Sequence, residues 1–246
     1  HKDAPFFLYY ALQQPHVPRT PHPRFVGSSG MGPRGDVIVE ADWCIGELLK
    51  TLEAEGILEN TLIVFSSDNG PVLNDGYFDD AVEKIGNHKP AGNLRGGKYS
   101  LFEAGTKVPF ITYWKGHIQP KTSDAVVSQI DLLSSLAALT GSNDVGPDSE
   151  NLLNVFLGKS NSGRDELVLE ATGRTAYRNG DWTYIPPHKG RRISRSVNME
   201  TGNDTLPQLY NIKNDVGQQK NLATTNPEKL NELITAFEKI RGKNAK

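Results

Sequence analysis

The sequence predicts an α/β protein in two parts: residues 1–150 with a mostly parallel central sheet, and residues 151–246 as a small antiparallel sheet with a C-terminal helix. Three observations predict it. Continuous apolar runs of strand length recur at Phe6–Leu12, Leu62–Phe65 and Val108–Trp114, the pattern of strands buried on both faces. A helical repeat separates the first two runs. After about residue 160 the apolar runs shorten and a hairpin signal appears at Asn179–Gly180.

In the helical repeat, Ile38, Ala41, Ile45, Leu48 and Leu52 recur at 3,4,3,4 spacing. Asp36 is the expected cap and Gly56 the expected stop. Strand, helix and strand in this order read as a βαβ unit. Cys44 falls on or beside the inner face and is expected to be a buried structural thiol. A second helix is expected over Ser128–Leu139, with Ile130, Leu133, Leu136 and Ala137 inward and Gly141 after it. In the second part, Leu167–Glu170 and Gln208–Ile212 read as strands, and Ala176–Ile185 reads as a hairpin with a type I′ turn at Asn179–Gly180. The last helix is expected to be capped by Asn226, with Pro227 in its first turn and Leu230, Leu233, Ile234, Phe237 and Ile240 as its apolar face.

Composition narrows the function classes. Of 246 residues, 27 are basic and 29 acidic, for a net charge of −2, so no basic excess points to nucleic acid. No apolar run approaches the roughly 18 residues of a membrane span. A single cysteine excludes an internal disulfide and a multi-thiolate metal site. The chain opens HKDAPFFLYYAL without an initiator Met, and is expected to begin inside a longer protein.

Two long loops carry the chemistry. Residues 15–35 hold five prolines and four glycines, and residues 68–97 are irregular except for at most a short helix at Asp80–Ile85. Both follow expected strands at their carboxyl ends, where open parallel sheets bind ligands. Asp68-Asn69-Gly70 reads either as a turn or as a carboxylate and an amide oxygen for a hard cation such as Ca²⁺ or Mg²⁺. His16, between Pro15 and Pro18, is either a solvated loop residue or an imidazole presented on stiff backbone. Lys98, after Gly96-Gly97, is either a surface lysine or an anion ligand beside exposed backbone; no P-loop pattern is present.

In order, these segments read P-F-F-L-Y-Y-A-x-x-x-P-H-x-P, then S-D-N-G-P, then R-G-G-K-x-x-x-x-E-A-G-T-K-V-P-F-I. The set resembles the sulfatases, the formylglycine-dependent arylsulfatase family of the alkaline-phosphatase-like superfamily. The likeness continues through Ser128–Leu132 and Leu139–Gly141, then Arg178–Trp182 and LYNIKNDVGQQKNLA. It implies an alkaline-phosphatase-like sandwich. It implies Asp68 and Asn69 as Ca²⁺ ligands, with Mg²⁺ possible in its place. It implies that His16 and Lys98 contact the sulfate and the leaving oxygen, Lys98 binding sulfate and His16 serving as general acid or hydrogen-bond donor.

The family's C/S-x-P-S-R pentapeptide, its early paired aspartates and its G-K-x-H segment do not occur here. No nucleophile is therefore expected in this chain. The formylglycine is expected in a missing N-terminal half of the same protein, and these residues alone are expected to bind calcium weakly and hydrolyse nothing. The first region should then expose apolar surface. Tyr77, Asp79, Asp80 and His88, near the motif loops, are candidate sugar-binding residues. The resemblance favours a sulfated galactose or N-acetylgalactosamine unit, or an aryl sulfate, and an exported bacterial protein, periplasmic or secreted. A phosphatase or phosphodiesterase of the same superfamily, and a non-catalytic carbohydrate-binding fragment, are the competing readings. Asn203-Asp204-Thr205 matches a glycosylation sequon but is too short a pattern to weigh.

Overall fold

Period-two alternation builds the best-packed part of the molecule. A computed structural model describes residues 4–244. Its elements are α1 (Gly32–Ala54), β1 (Ile63–Ser66), α2 (Glu103–Thr106), β2 (Phe110–Tyr113), α3 (Asp131–Thr140), α4 (Leu153–Phe156), β3 (Glu166–Ala171), β4 (Arg174–Asn179), β5 (Trp182–Ile185), β6 (Ile193–Ser194), β7 (Met199–Glu200), β8 (Gln208–Asn211) and α5 (Pro227–Asn244).

β3, β4, β5 and β8 form one antiparallel sheet in that order. Neighbouring residues of a strand face opposite ways, so Tyr177, Tyr184 and Leu209 meet Leu233 and Phe237 of α5. Ala176, Ile185 and Tyr210 face the other side, where Leu101 and Phe102 cover them. Burying each large apolar side chain contributes about 1.5–3 kcal/mol. The terminal helix starts at Pro227, with Leu230, Ile234 and Ile240 also against this core, while the Asn226 amide oxygen accepts from Thr225 O–H. The β4–β5 hairpin forms, but Asn179 pairs with Trp182, which moves the two-residue turn to Gly180-Asp181. A second hairpin was not read from the sequence. Thr172 and Gly173 join β3 to β4 with φ of 54° and 75°, the left-handed pair that a type I′ turn requires.

The first region differs more from expectation. β1 and β2 lie where two of the apolar runs predict strands, but they pair with each other and antiparallel, Ile63 opposite Tyr113. Phe6–Leu12 is not in a strand; its backbone joins no other segment among the described residues, and Phe7 and Tyr9 are 80% and 83% exposed. Without a ladder partner for this run, the expected parallel βαβ pairing is absent among the described residues. α1 begins four residues before Asp36, whose carboxylate instead accepts the Gly27 and Ser29 N–H groups at 2.8 and 3.0 Å. Along α1 only Leu52 of the expected apolar stripe is buried, and Cys44 is half-buried rather than buried.

α3 turns its polar side inward. Asp131, Ser134 and Ser135 are buried while Ile130 and Leu133 are exposed. The cause is Arg164, which binds the fully buried Asp131 carboxylate; that carboxylate also accepts the Ser128 and Glu150 N–H groups at 2.8 and 3.0 Å. The Asp80–Ile85 stretch is a turn closed by Lys84 N–H to Asp80 C=O, not a helix. Asn203 of the sequon is buried; its amide accepts from Arg174 and donates to Arg191 C=O, so it is tied into the fold.

Candidate active site

His16 and Lys98, 82 residues apart, come together. His16 Nδ1 lies 2.7 Å from the Val17 carbonyl, which can only accept, so that nitrogen carries hydrogen. With hydrogen on Nδ1, the neutral form of the ring would offer its Nε2 lone pair, 3.2 Å from Lys98 Nζ. Asp75 completes the group: Oδ2 accepts from Lys98 Nζ at 2.9 Å and lies 3.7 Å from His16 Nε2, while Oδ1 accepts from Tyr99 O–H at 2.9 Å. The Lys98 and Asp75 side chains are 14% and 9% exposed, against 60% for His16. The cluster therefore has a sheltered floor and an open imidazole rim.

Charge balance keeps the floor ionised. Burial pulls the Lys98 ammonium down, but the hydrogen bond and charge of Asp75 outweigh it and leave its pKa raised. Burial pushes the Asp75 carboxyl up, but hydrogen bonds from Lys98 and Tyr99, with the lysine charge, bring it below the ordinary value. Each ion thus offsets the other's desolvation.

Local backbone explains the glycines beside the candidate residues. Lys98 N–H donates to Pro71 C=O at 3.0 Å. A Cβ on Gly97 would collide with that carbonyl. Gly70 N–H donates to Gly105 C=O at 2.9 Å, and a Cβ there would strike the Ala104 carbonyl. Such close backbone approaches admit only glycine. The loop carrying Lys98 is clamped again from the C-terminal region: Arg95 binds Glu200 through both carboxylate oxygens and donates to Gln218 C=O, and Gln218 Oε1 accepts Glu103 N–H at 2.7 Å.

Asp68 and Asn69 sit just beyond β1, on the strap that reaches Lys98 through Pro71. Asn69 Nδ2 donates to Gly70 C=O at 2.9 Å, which leaves its Oδ1 unengaged. The Asp68 carboxylate is exposed and has no hydrogen bond or ion pair among the described residues. Two free oxygens of this kind suit a hard cation, but Ca²⁺ takes six to eight oxygen ligands. Among the described residues no group of three or more His, Cys, Asp or Glu side chains could hold a metal. The pair fits as part of a donor set.

A family model described as sulfatase matches residues 1–142, more than half of the chain. The chain belongs to the sulfatase family. It is 46% identical over 245 residues to an N-acetylgalactosamine-6-O-sulfatase of Bacteroides thetaiotaomicron, covering 98% of this chain and 48% of that protein. It is 32% identical over 251 residues to human arylsulfatase A, covering 94% and 48%. A solved structure from work on glycosaminoglycan metabolism in Bacteroides thetaiotaomicron superposes with a TM-score of 0.95 at 45% identity, over 98% of this chain and 51% of that one. The chain thus spans about half the length of the relatives it matches. These neighbours also fix the architecture of this sulfatase chain as alkaline-phosphatase-like.

The four candidate sugar-binding residues of this sulfatase chain are placed differently from one another, and none has a hydrogen bond or ion pair to His16 or Lys98 among the described residues. Asp79 is committed elsewhere: both its oxygens accept from Arg19 Nη1 at 3.0–3.1 Å in a buried ion pair, and Arg19 also donates to the Val72 and Leu73 carbonyls. This pair shapes the 72–79 loop. Asp80 is exposed and binds Lys84 Nζ at 2.7 Å. Tyr77 and His88 are exposed, with side chains free of hydrogen bonds among the described residues. Sequence reasoning missed Tyr99, Arg19 and the role of Asp75. An Asp within a functional loop was the only signal available for Asp75.

Proposed function

We propose that this chain forms the sulfate-binding part of a sulfuric ester hydrolase acting on a sulfated carbohydrate, with a 6-O-sulfated N-acetylgalactosamine or galactose unit favoured. The carrying observation is the Lys98 ammonium, held by Asp75 against His16 Nε2. A fixed cation beside an imidazole suits a reaction that holds an anionic ester and then protonates its leaving oxygen. The likeness to an N-acetylgalactosamine-6-O-sulfatase supports the sugar.

In this reading Lys98 donates to a sulfate oxygen while Asp75 keeps its ammonium charged and aimed. The sulfate replaces the Lys98–His16 contact. His16, once freed, takes a proton from solvent at Nε2 and gives it to the departing sugar oxygen, while Nδ1–H stays on Val17 C=O and fixes the ring. Asp68 and Asn69 Oδ1 would hold Ca²⁺, or Mg²⁺, together with carboxylates from outside this chain, and the cation would draw charge from the sulfate oxygens. The nucleophile, a formylglycine, also comes from outside these residues, so the 246-residue chain alone hydrolyses nothing.

The deciding assay gives the complete protein matched sulfate and phosphate esters of one sugar. Faster turnover of the sulfate is expected. Preference for the phosphate would move the protein to the phosphatase reading, and turnover by the 246-residue chain alone would overturn the need for an outside nucleophile.

A further inference from the structure

Between Asp181 and Glu200 the sequence has no acidic residue, yet Lys189, Arg191, Arg192 and Arg195 fall within seven positions. In a chain of net charge −2 this is a local concentration of positive charge. All four side chains are exposed. Their backbone is not free. The Arg191 carbonyl accepts from Thr201 Oγ1 at 2.8 Å and Asn203 Nδ2 at 2.9 Å, and the Arg192 carbonyl accepts Thr201 N–H at 2.9 Å. Thr201 and Asn203 are themselves buried. The carbonyls are thus drawn inward while the basic side chains stand in water.

Arg192 is neutralised by Asp204 at 2.6 Å. Lys189, Arg191 and Arg195 have no ion pair or side-chain hydrogen bond among the described residues. With Asp204 taken up by Arg192, the three remaining cations within seven positions carry like charge that an added anion would balance. The backbone holding them leads straight to the candidate active site. β6 pairs with β7, where Met199 packs on Gly97, next to Lys98. Glu200 binds Arg95 of the same loop, and Thr201 C=O accepts Leu101 N–H at 3.0 Å.

We propose that the 189–195 hairpin arm is a second anion-recognition surface. It holds sulfate or carboxylate groups on units of an oligosaccharide flanking the one whose sulfate reaches Lys98. Guanidinium forks match both oxyanions through paired N–H donors. The inference rests on the carbohydrate-sulfatase reading for the identity of its ligand. It adds that the natural substrate is a polyanionic chain, gripped at more than one unit.

The test compares the complete wild-type protein with a Lys189→Ala/Arg191→Ala/Arg195→Ala variant, with unchanged Tm as the check on folding. Binding is measured by calorimetry to a chondroitin 6-sulfate hexasaccharide, a hyaluronan hexasaccharide carrying carboxylates only, and N-acetylgalactosamine 6-sulfate. The variant should bind the sulfated hexasaccharide about tenfold more weakly, with a shallower salt dependence, because exposed charges act through a screened field. Its affinity for the monosaccharide should be unchanged. A loss that extends to hyaluronan assigns the arm to carboxylates, and a loss confined to the sulfated chain assigns it to sulfates. A Lys159→Ala/Lys220→Ala/Lys239→Ala control removes equal charge elsewhere and should change hexasaccharide affinity by less than about twofold. Equal hexasaccharide affinity of wild type and arm variant overturns the proposal. So does wild-type binding of a single-stranded DNA of equal charge as tight as that of the sulfated hexasaccharide. Wild-type hydrolysis of the monosaccharide sulfate is scored separately: its absence removes the sulfatase reading, while the difference in hexasaccharide binding stands or falls independently.

Discussion

In the C-terminal sheet Tyr177, Ile185 and Leu209 are completely covered, whereas Phe7, Tyr9, Ile111 and Leu133 of the first region stand at least half exposed. The sheet is closed on one face by α5 and on the other by Leu101 and Phe102, which the first region lends to it. β1 and β2 make only a two-stranded ribbon, and such a ribbon has little stability by itself. The candidate site nevertheless lies in the weakly packed region. It is held there by bonds to the well-packed one, through Arg95, Glu103 and Leu101. The contrast teaches that order in the candidate site depends on the C-terminal sheet.

The largest test of this contrast is Phe237→Ala, which opens the α5 face and should cost about 3–5 kcal/mol. Chemical denaturation of the complete protein measures it, and a loss below about 1 kcal/mol would place the main core elsewhere. Next, Lys98→Ala should lower kcat/KM for a sulfate ester about 10²–10³-fold, the scale of losing one aimed oxyanion ligand. Asp75→Asn keeps the shape but removes the charge that holds Lys98, so it should lower activity less than Lys98→Ala does.

The same Asp75 variant carries a pH prediction. The folded Asp75 pKa lies below the ordinary value of 3.8, so its contribution is present above that value and is lost as pH falls through the lower folded one. Lys98 has the opposite sign. Its folded pKa lies above 10.5, so its contribution is present below that value and is lost as pH rises through the higher folded one. The ion pair therefore spans the whole range between, and Asp75→Asn should remove the acid-side loss in a pH series of unfolding curves. Gln218→Ala is a smaller change. It leaves the buried Glu103 N–H unpaired and should cost about 1–3 kcal/mol, with a rise in KM as the Lys98 loop loosens. Smallest of all, Phe7→Ser should shift stability by no more than about 0.5 kcal/mol. A large loss there would mean that the segment is covered in the complete protein, and would erase the contrast between the two regions.

Much of the fold was legible where one short-range rule governs. β1, β2, β3, β8 and α5 fall where apolar runs and caps put them, and Gly141 ends α3 with the positive φ of 77° expected of such a stop. The inward face of α3 was not legible. Its apolar stripe and its buried Asp131 compete for the interior, and Arg164, 33 positions away, decides for Asp131. Phe6–Leu12 has the composition of a buried strand, but a strand also needs a neighbour to bond, and composition does not supply one.

The same division runs through the candidate site. By itself the sequence determined the positions of Asp68, Asn69, His16 and Lys98 on loops, and the glycines beside them, because backbone sterics and turn preferences act over a few residues. Only the tertiary structure decided that Asp75 serves Lys98 across 23 positions, that Arg19 takes Asp79 across 60, and that Glu200 steadies the lysine loop through Arg95 across 105. A carboxylate has no fixed role until packing brings a particular cation within about 3 Å of it, and that choice is made between segments far apart in the chain.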